Sequence, residues 1–435
     1  MLNGIRARLE SIRRGRARRL AGEGGWIVAG QAGAVIGSVV LVRVLTEFLE
    51  PAEYGELALG LTVAGLVNQV ATGGVIAGVG RFYAVAVERD DFRGYLRATV
   101  KLGGYAALVV GMLAAAIVLS LVWLGLLSWA LIVAAAFVLS LVASINSGIS
   151  SIQSAARQRS LVALHTGLDA WLKIGLAVAA MLCFGKASAV VIAGYALSAL
   201  LITASQMFFF RRLIVARAPV DAAVTHQDWS GAIWRYSWPF SAWGLFTWAH
   251  QASDRWALQS FGSTKDVGSY AVLFQLSYVP ITVATGLMLT FLAPILYQRS
   301  GDATQVARND ASHNLVWAGA RFALLLTIIA FVVGLLAHDL IFSVLVSAAY
   351  RTTSQWLPWM ILAGGLFATG QILTLKLMTD MRTSRAIPLK IGTAIVGTAL
   401  SVIGAASHGL PGVVAATVIF AIIYLAWAAL VCRRS

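Results

Sequence analysis

The chain has 435 residues, of which 59% are hydrophobic and only 12% are charged, and its formal net charge is +15 at pH 7. Apolar runs of about 20 residues, the length of a helix that crosses a bilayer, recur along the whole sequence. No polar block is long enough to form a water-soluble domain of ordinary size, so the composition predicts a polytopic membrane protein. The two cysteines, Cys183 and Cys432, lie far apart and predict neither a disulfide framework nor a metal site.

The apolar runs predict an all-α fold with about twelve transmembrane helices. The expected spans are roughly 25–46, 56–80, 98–122, 126–148, 162–184, 187–210, 236–260, 268–296, 314–337, 356–379, 386–407 and 411–431. The first run begins at Trp26 and is too long for a signal peptide, so we expect it to be a retained helix.

Arginine and lysine are distributed unevenly between the predicted loops. If the N-terminus is cytoplasmic, the predicted outer loops contain only Lys186, Lys265 and Arg351, and the remaining loop cations lie inside. The positive-inside rule therefore predicts cytoplasmic N- and C-termini in a bacterial inner (cell) membrane. The same bias explains the net charge without a nucleic-acid partner. Residues 1–24 are expected to form a basic amphipathic segment that binds membrane lipids on the cytoplasmic surface.

The sequence contains two similar halves, which predicts a repeat of six plus six helices. In each half an arginine inside the first helix, Arg43 or Arg255, precedes the glycine that opens the next span, Gly55 or Gly268, by about a dozen residues. Transporters built from such repeats bind their substrates between the halves, near the middle of the membrane. The predicted units are an N-terminal bundle at 25–211, a cytoplasmic linker at 212–232 and a C-terminal bundle at 233–435.

Charged residues inside the predicted spans are the strongest functional signal. The cations are Arg43, Lys173, Arg255, Arg321 and Lys376, and the acids are Asp169 and Asp254. Each charge facing lipid would cost roughly 2.5 to 3.5 kcal/mol, so we expect these residues to line a shared polar interior. The excess of cations favours an anionic ligand such as a diphosphate. The alternative is that each cation snorkels to the surface or pairs with one acid.

Two predicted helices combine histidine and aspartate at four-residue spacing. His165, Asp169 and Lys173 share one face of the fifth span, and His250 and Asp254 share a face of the seventh. A histidine beside an aspartate could carry a coupling proton, because its charge changes near neutral pH. The alternative is a packing network whose hydrogen bonds are satisfied.

Asp254 also suggests a gate. Arg43 and the Asp254–Arg255 pair are expected at similar depth near the outer ends of their helices. One hypothesis is that Asp254 pairs with Arg43 to close the outer mouth, which leaves Arg255 for phosphate. The alternative is that Asp254 pairs within its own half.

Five stretches, in order, resemble one family. They are LEPAEYGELAL, VATGGVIAGVGRFYA, SDRWALQSFGSTKDVGSYAV, LVSAAYRTTSQWLPWMILAGGL and HGLPGVVAATVI. Together they resemble the polysaccharide biosynthesis flippases, the Wzx-like branch of the multidrug/oligosaccharidyl-lipid/polysaccharide exporter superfamily. The resemblance implies two six-helix bundles around a central cavity.

The implied function is transport rather than catalysis, without a cofactor. The expected substrate is an undecaprenyl-diphosphate-linked oligosaccharide, moved from the inner to the outer leaflet for O-antigen or exopolysaccharide synthesis. Other polysaccharide assembly proteins are candidate partners. Two alternatives stay open within the superfamily: a cation-coupled multidrug exporter, which the cationic excess disfavours, and a lipid II flippase, which carries two additional helices. No Asp-x-Asp of a glycosyltransferase and no phosphate-binding loop of an ATPase occurs in the sequence.

Overall fold

The computed structural model describes residues 25–26, 28–217, 227–300, 306–379 and 383–433. Within these ranges the chain is helical except for short turns, which confirms the all-α prediction. The predicted amphipathic segment at 1–24 and the middle of the predicted linker, 218–226, lie outside the described residues.

The helices of the N-terminal half are joined by tight turns. They are α1 (Val28–Phe48), α2 (Pro51–Leu66), a π-helix (Val67–Thr72), α3 (Gly73–Glu88), α4 (Phe92–Trp123), α5 (Leu127–Ala155), α6 (Arg159–Phe184) and α7 (Ser188–Arg217). Pro51 opens α2, and the backbone N–H of Glu50 donates a hydrogen bond to the Glu53 carboxylate (3.0 Å). α2, the π-helix and α3 form one continuous stretch of 38 residues.

The C-terminal half begins with three helices of 33 residues or more. Its helices are α8 (Trp229–Phe261), α9 (Thr264–Ser300), α10 (Val306–Leu345), a 3-10 helix (Ala348–Trp356), α11 (Leu357–Thr379) and α12 (Thr383–Arg433). α12 contains two helical segments that meet at a kink, where His408 and Gly409 leave the helical conformation and Gly409 has a φ of +58°. The predicted boundary between the last two spans, at 407–411, coincides with this kink.

Ten stretches of the described chain are long and apolar enough to cross a membrane, which supports a multi-pass membrane protein. α8 is not among them, because histidine, charged residues and many tryptophans lower its hydropathy. The last stretch, Ile391–Cys432, has 42 residues and bends at the α12 kink.

The largest hydrophobic core contains residues of both halves. It lies at the end of the molecule where α1 turns into α2. Leu45, Leu49 and Leu57 of the N-terminal half pack there with Tyr270 and Tyr350 of the C-terminal half. The phenol of Tyr350 donates a hydrogen bond to the Leu49 carbonyl (2.9 Å). This end of the interface between the halves is therefore dry and closed.

The two glycines that the repeat predicted as equivalent meet at this end. A Cβ atom on Gly268 would lie 1.8 Å from the Pro51 carbonyl oxygen, and one on Gly55 would lie 2.0 Å from the Thr264 carbonyl oxygen. Only glycine allows α2 and α9 to approach so closely. The sequence repeat therefore marks a real contact between the halves.

At the opposite end α3 packs against the first half of α8. Gly74 and Gly78 lie against Ser241 and Ser237, whose hydroxyl oxygens would be 2.3 and 2.2 Å from added Cβ atoms. The indole of Trp229 donates to the carboxylate of Asp91 (2.6 Å). α8 thus begins against the N-terminal half.

Candidate functional site: an aromatic cavity in the C-terminal half

Side chains of helices α8, α9, α11 and α12 line an open cavity of about 940 Å³. All the described residues that line it lie between 238 and 424, in the C-terminal half. Its volume is within the range of sites that bind small molecules.

Five aromatic rings from three helices form one side of the cavity, which we call the aromatic wall: Phe274 and Tyr278 of α9, Phe367 of α11, and Phe420 and Tyr424 of α12. The rings of Phe274 and Tyr278 stack with centroids 4.7 Å apart, and Phe367 lies 5.9 Å from Tyr278 and 4.7 Å from Tyr424. Phe274 and Tyr278 follow the start of α9 by roughly 15 and 21 Å at 1.5 Å per residue. Taking the polar start of α9 as the membrane boundary, the wall lies about halfway through a 30 Å hydrocarbon core.

Uncharged polar side chains surround the wall. The hydroxyls of Thr282, Thr374 and Thr417 each donate to a carbonyl of their own helix at 2.8 Å, so their oxygen atoms can still accept hydrogen bonds. The side-chain amides of Gln275 and Gln371 line the cavity and make no hydrogen bond within the described part of the chain. Amide donors and acceptors are therefore free for a ligand.

Asp254 and Arg255 stand at one edge of the wall and neutralise each other. Their charged atoms are 3.5 Å apart, and the Asp254 carboxylate also accepts the backbone N–H of Arg255 (2.7 Å). The guanidinium carbon of Arg255 lies 4.9 Å from the centre of the Phe274 ring, and Arg255 donates to the Gln251 carbonyl. Both side chains are largely buried, at 10% and 16% exposure, which explains why two charges occur together in this helix.

His250 lines the same cavity one turn before Asp254. Its ring lies 4.3 Å from Phe420 and contacts Gly397, and its buried Nδ1 atom has no hydrogen-bond partner. Among the described residues His250 makes no ion pair with Asp254. The four-residue spacing therefore brings both side chains to the cavity without joining them.

The matching residues of the N-terminal half lie elsewhere. Asp169 binds Lys173 (2.5 Å) and accepts a hydrogen bond from Ser198 of α7 (3.1 Å). His165 bonds to the Leu161 carbonyl (2.7 Å) and to Ser205 (3.1 Å). These polar groups join α6 to α7, and none of them lines the cavity.

The remaining predicted cations are also separate from the cavity lining. Arg43 pairs with Glu47 on its own helix, Arg321 is exposed on α10, and Lys376 is buried within α11. Of the five predicted cations, the structure places only Arg255 at this cavity. A role for the other four in substrate binding stays a prediction.

The proposed contact between Arg43 and Asp254 does not form in this conformation. Arg43 pairs with Glu47, and Asp254 pairs with Arg255, because each finds its partner within its own helix. The structure shows the second of the two alternatives, in which Asp254 pairs within one half.

Sequence reasoning missed the aromatic wall and the tryptophans of α8. The indoles of Trp248 and Trp256 donate to the backbone carbonyl and the hydroxyl of Thr62, at 2.7 and 2.9 Å, and so tie α8 to α2. The signal that could have found the wall is the repeated pair of aromatics four residues apart, at 274 and 278 and at 420 and 424. In the described chain no group of three histidine, cysteine or acidic residues could hold a metal ion.

A family model described as polysaccharide biosynthesis protein matches residues 21–299, which is more than half of the chain. The chain belongs to this family. A search of curated proteins found no match.

Solved structures show the same fold at low sequence identity. A lipid II flippase, MurJ, in an inward closed conformation is 11% identical, with 94% of this chain and 87% of that chain covered and a TM-score of 0.70. An inward-facing multidrug resistance MATE family transporter of the MOP superfamily is 14% identical, with 93% and 95% covered and a TM-score of 0.66. A Vibrio cholerae MATE transporter is 15% identical, with 96% of both chains covered and a TM-score of 0.60. This chain therefore shares the fold of these three transporters.

Proposed function

We propose that this member of the polysaccharide biosynthesis family is a flippase for an undecaprenyl-diphosphate-linked oligosaccharide. It moves the lipid from the inner to the outer leaflet of the bacterial inner membrane, for O-antigen or exopolysaccharide synthesis. The observation that carries the proposal is a cavity of about 940 Å³ at mid-membrane depth, lined by aromatic and uncharged hydrogen-bonding side chains, in a chain of this family.

The proposed architecture has twelve crossings, with both termini in the cytoplasm. Two features support it beyond the ten apolar stretches. α8 has 33 residues, enough to cross a bilayer, and the two segments of α12 pack on each other across the kink at Gly409, where Gly404 lies against Gly412 and Ala416. The proposed units are a bundle at 25–211, a linker at 212–232 and a bundle at 233–435, with residues 1–24 on the membrane surface.

In this proposal Arg255 receives the diphosphate. Its charge is held by Asp254 and by the face of Phe274 while the cavity is empty. A diphosphate offers the guanidinium stronger, bidentate hydrogen bonds than a carboxylate 3.5 Å away. Substrate binding therefore exchanges one anionic partner of Arg255 for another, while the Asp254 carboxylate keeps the hydrogen bond from the backbone N–H of Arg255.

A cationic drug is a poorer fit to the same cavity. An aromatic wall beside a carboxylate could bind a cation, but Arg255 already occupies the face of Phe274 and already neutralises Asp254. A drug cation would lie beside a fixed guanidinium. The arrangement disfavours the multidrug-export alternative.

The test is deletion of the gene in a strain without paralogues, with the wild-type gene restored as the control. We expect sugar-bearing polyprenyl diphosphate to accumulate in the inner leaflet, where a membrane-impermeant lectin added to spheroplasts cannot reach it. Surface polysaccharide should fall. Unchanged surface polysaccharide contradicts the proposal, and increased drug susceptibility with normal polysaccharide supports the multidrug alternative. Loss of lipid II transport instead supports the lipid II alternative.

A further inference from the structure

The cavity extends well beyond Arg255, and its chemistry changes away from that residue. We propose that the aromatic wall binds the neutral sugar rings of the substrate, so that the glycan lies in the C-terminal half while Arg255 holds the adjoining phosphate. This inference rests on the proposed function and adds to it the position and the recognition of the glycan.

The charge of the cavity supports a neutral ligand. Among the described residues that line the cavity, Arg255 and Asp254 are the only lysine, arginine or acidic residues, and they form an ion pair. The other polar side-chain groups of the described lining are amides, hydroxyls, two indole N–H groups and one imidazole. Because the two charges of this pair cancel, the rest of the lining attracts an anion only weakly. Its neutral polar groups can hydrogen-bond to the hydroxyls of a sugar.

The rings supply the apolar part of sugar recognition. One face of a pyranose presents C–H groups with partial positive charge, and the face of an aromatic ring is partially negative. Phe367 is tilted by 34° to Tyr278 and by 37° to Tyr424, so these rings do not cover one another as a closed stack would. Tyr278 and Phe367 are only partly buried and border the cavity, so a ligand there can contact these two rings.

The hydrogen-bonding groups supply the polar part. Gln275 and Gln371 line the cavity and have amide donors and acceptors that are unused within the described chain. Thr282, Thr374 and Thr417 keep acceptor lone pairs after donating to their own helices. A hydroxyl group both donates and accepts, so a sugar satisfies both classes of group at once. An isoprenoid tail would leave the amides of Gln275 and Gln371 unpaired.

The experiment measures the sugar preference of the full-length chain in lipid nanodiscs. Two ligands are titrated: the sugar-bearing polyprenyl diphosphate extracted from the deletion strain, and undecaprenyl diphosphate without sugar. Binding is followed by tryptophan emission, because Trp238 and Trp243 line the cavity. We expect the wild type to bind the sugar-bearing lipid at least about tenfold more tightly, since more than one ring contributes.

The variants separate the wall from its surroundings. Phe367→Leu and Tyr278→Leu should each reduce the preference about fivefold while leaving the affinity for the bare lipid unchanged. Gln371→Leu replaces the amide with an apolar side chain of similar size. It should also reduce the preference for the sugar-bearing lipid. Tyr278→Phe keeps the ring and should retain most of the preference. Phe331→Leu is the matched control, because Phe331 packs on Trp359 outside the cavity lining.

The outcomes distinguish this inference from the proposed function. Wall variants that fold and keep the full sugar preference, or that weaken both lipids equally, overturn the inference. If the wild type transports the sugar-bearing lipid but shows no preference over the bare lipid, only the inference fails. If the wild type neither binds nor transports the sugar-bearing lipid, the proposed function fails and the inference fails with it.

Discussion

The two halves of the molecule use the same kinds of polar residue in different ways. In the N-terminal half, His165, Asp169 and Lys173 all find partners on α6 or α7. In the C-terminal half, His250 keeps an unpaired nitrogen beside a cavity, and Gln275 and Gln371 have no partner in the described structure. Spacing along a helix is alike in both, but only in the C-terminal half do these polar side chains border the cavity.

The largest expected effect is at the Asp254–Arg255 pair. Arg255→Gln should abolish export and lower the free energy of unfolding by about 3 kcal/mol, because it leaves the buried carboxylate of Asp254 unpaired. The double change Asp254→Asn with Arg255→Gln should recover most of the stability but none of the export. Thermal unfolding and transport in proteoliposomes measure the two quantities. A double variant that exports normally would show that Arg255 has only a structural role.

The histidines offer a matched comparison between the halves. His165→Leu removes two hydrogen bonds from a buried side chain and should lower the free energy of unfolding by about 2 kcal/mol. His250→Leu removes no hydrogen bond within the described chain, so we expect a change below about 1 kcal/mol together with weaker substrate binding. If His165→Leu and His250→Leu lower the free energy of unfolding equally, the two histidines do not differ in the way that we expect.

The ion pair of α6 should contribute less, because it is partly exposed. Asp169→Ala should lower the free energy of unfolding by about 1 kcal/mol, and Lys173→Ala by a similar amount or less. The double variant should be no less stable than Asp169→Ala alone, and transport per folded molecule should stay at the wild-type level. A transport defect that persists in a stable double variant would assign these residues to coupling or binding instead.

The smallest effect is expected at Arg321, which is exposed on α10. Arg321→Gln should change the free energy of unfolding by less than about 0.5 kcal/mol and leave export unchanged, in contrast to Arg255→Gln. The comparison uses the same substitution at two arginines of the predicted spans. Loss of export in Arg321→Gln would show that the substrate path includes the α10 surface.

The fold was more predictable than the site, because lipid imposes a simple rule on sequence. A span must be apolar and about 20 residues long, so the predicted run at 25–46 corresponds to Val28–Phe48, and the boundary near 407–411 corresponds to the α12 kink. The sequence placed the end of α7 too early and the start of α8 too late. Arg211, Arg212 and Trp229 resemble linker residues, but they lie within these helices.

The partners of the charged residues could not be predicted from spacing. The sequence identifies Arg43 and Arg255 as equivalent, yet Arg43 pairs with Glu47 on α1 whereas Arg255 lies over Phe274 of another helix. Which face of each helix meets a cavity depends on how the helices pack. The equivalence of Gly55 and Gly268 is visible in the sequence as a repeat. Their contact depends on how α2 packs against α9.

The π-helix Val67–Thr72 sets the rotational alignment of the span that contains it. From Thr62, which faces Trp248 of α8, to Gly74, which faces Ser241 of α8, there are twelve residues. An uninterrupted α-helix turns about 100° per residue, which would leave these two positions roughly 120° apart around the axis. A π-helix turns more slowly, at ~4.4 residues per turn, and over six residues it subtracts roughly 110°. One wide turn thereby lets a single 38-residue stretch present the same side to α8 above and below it.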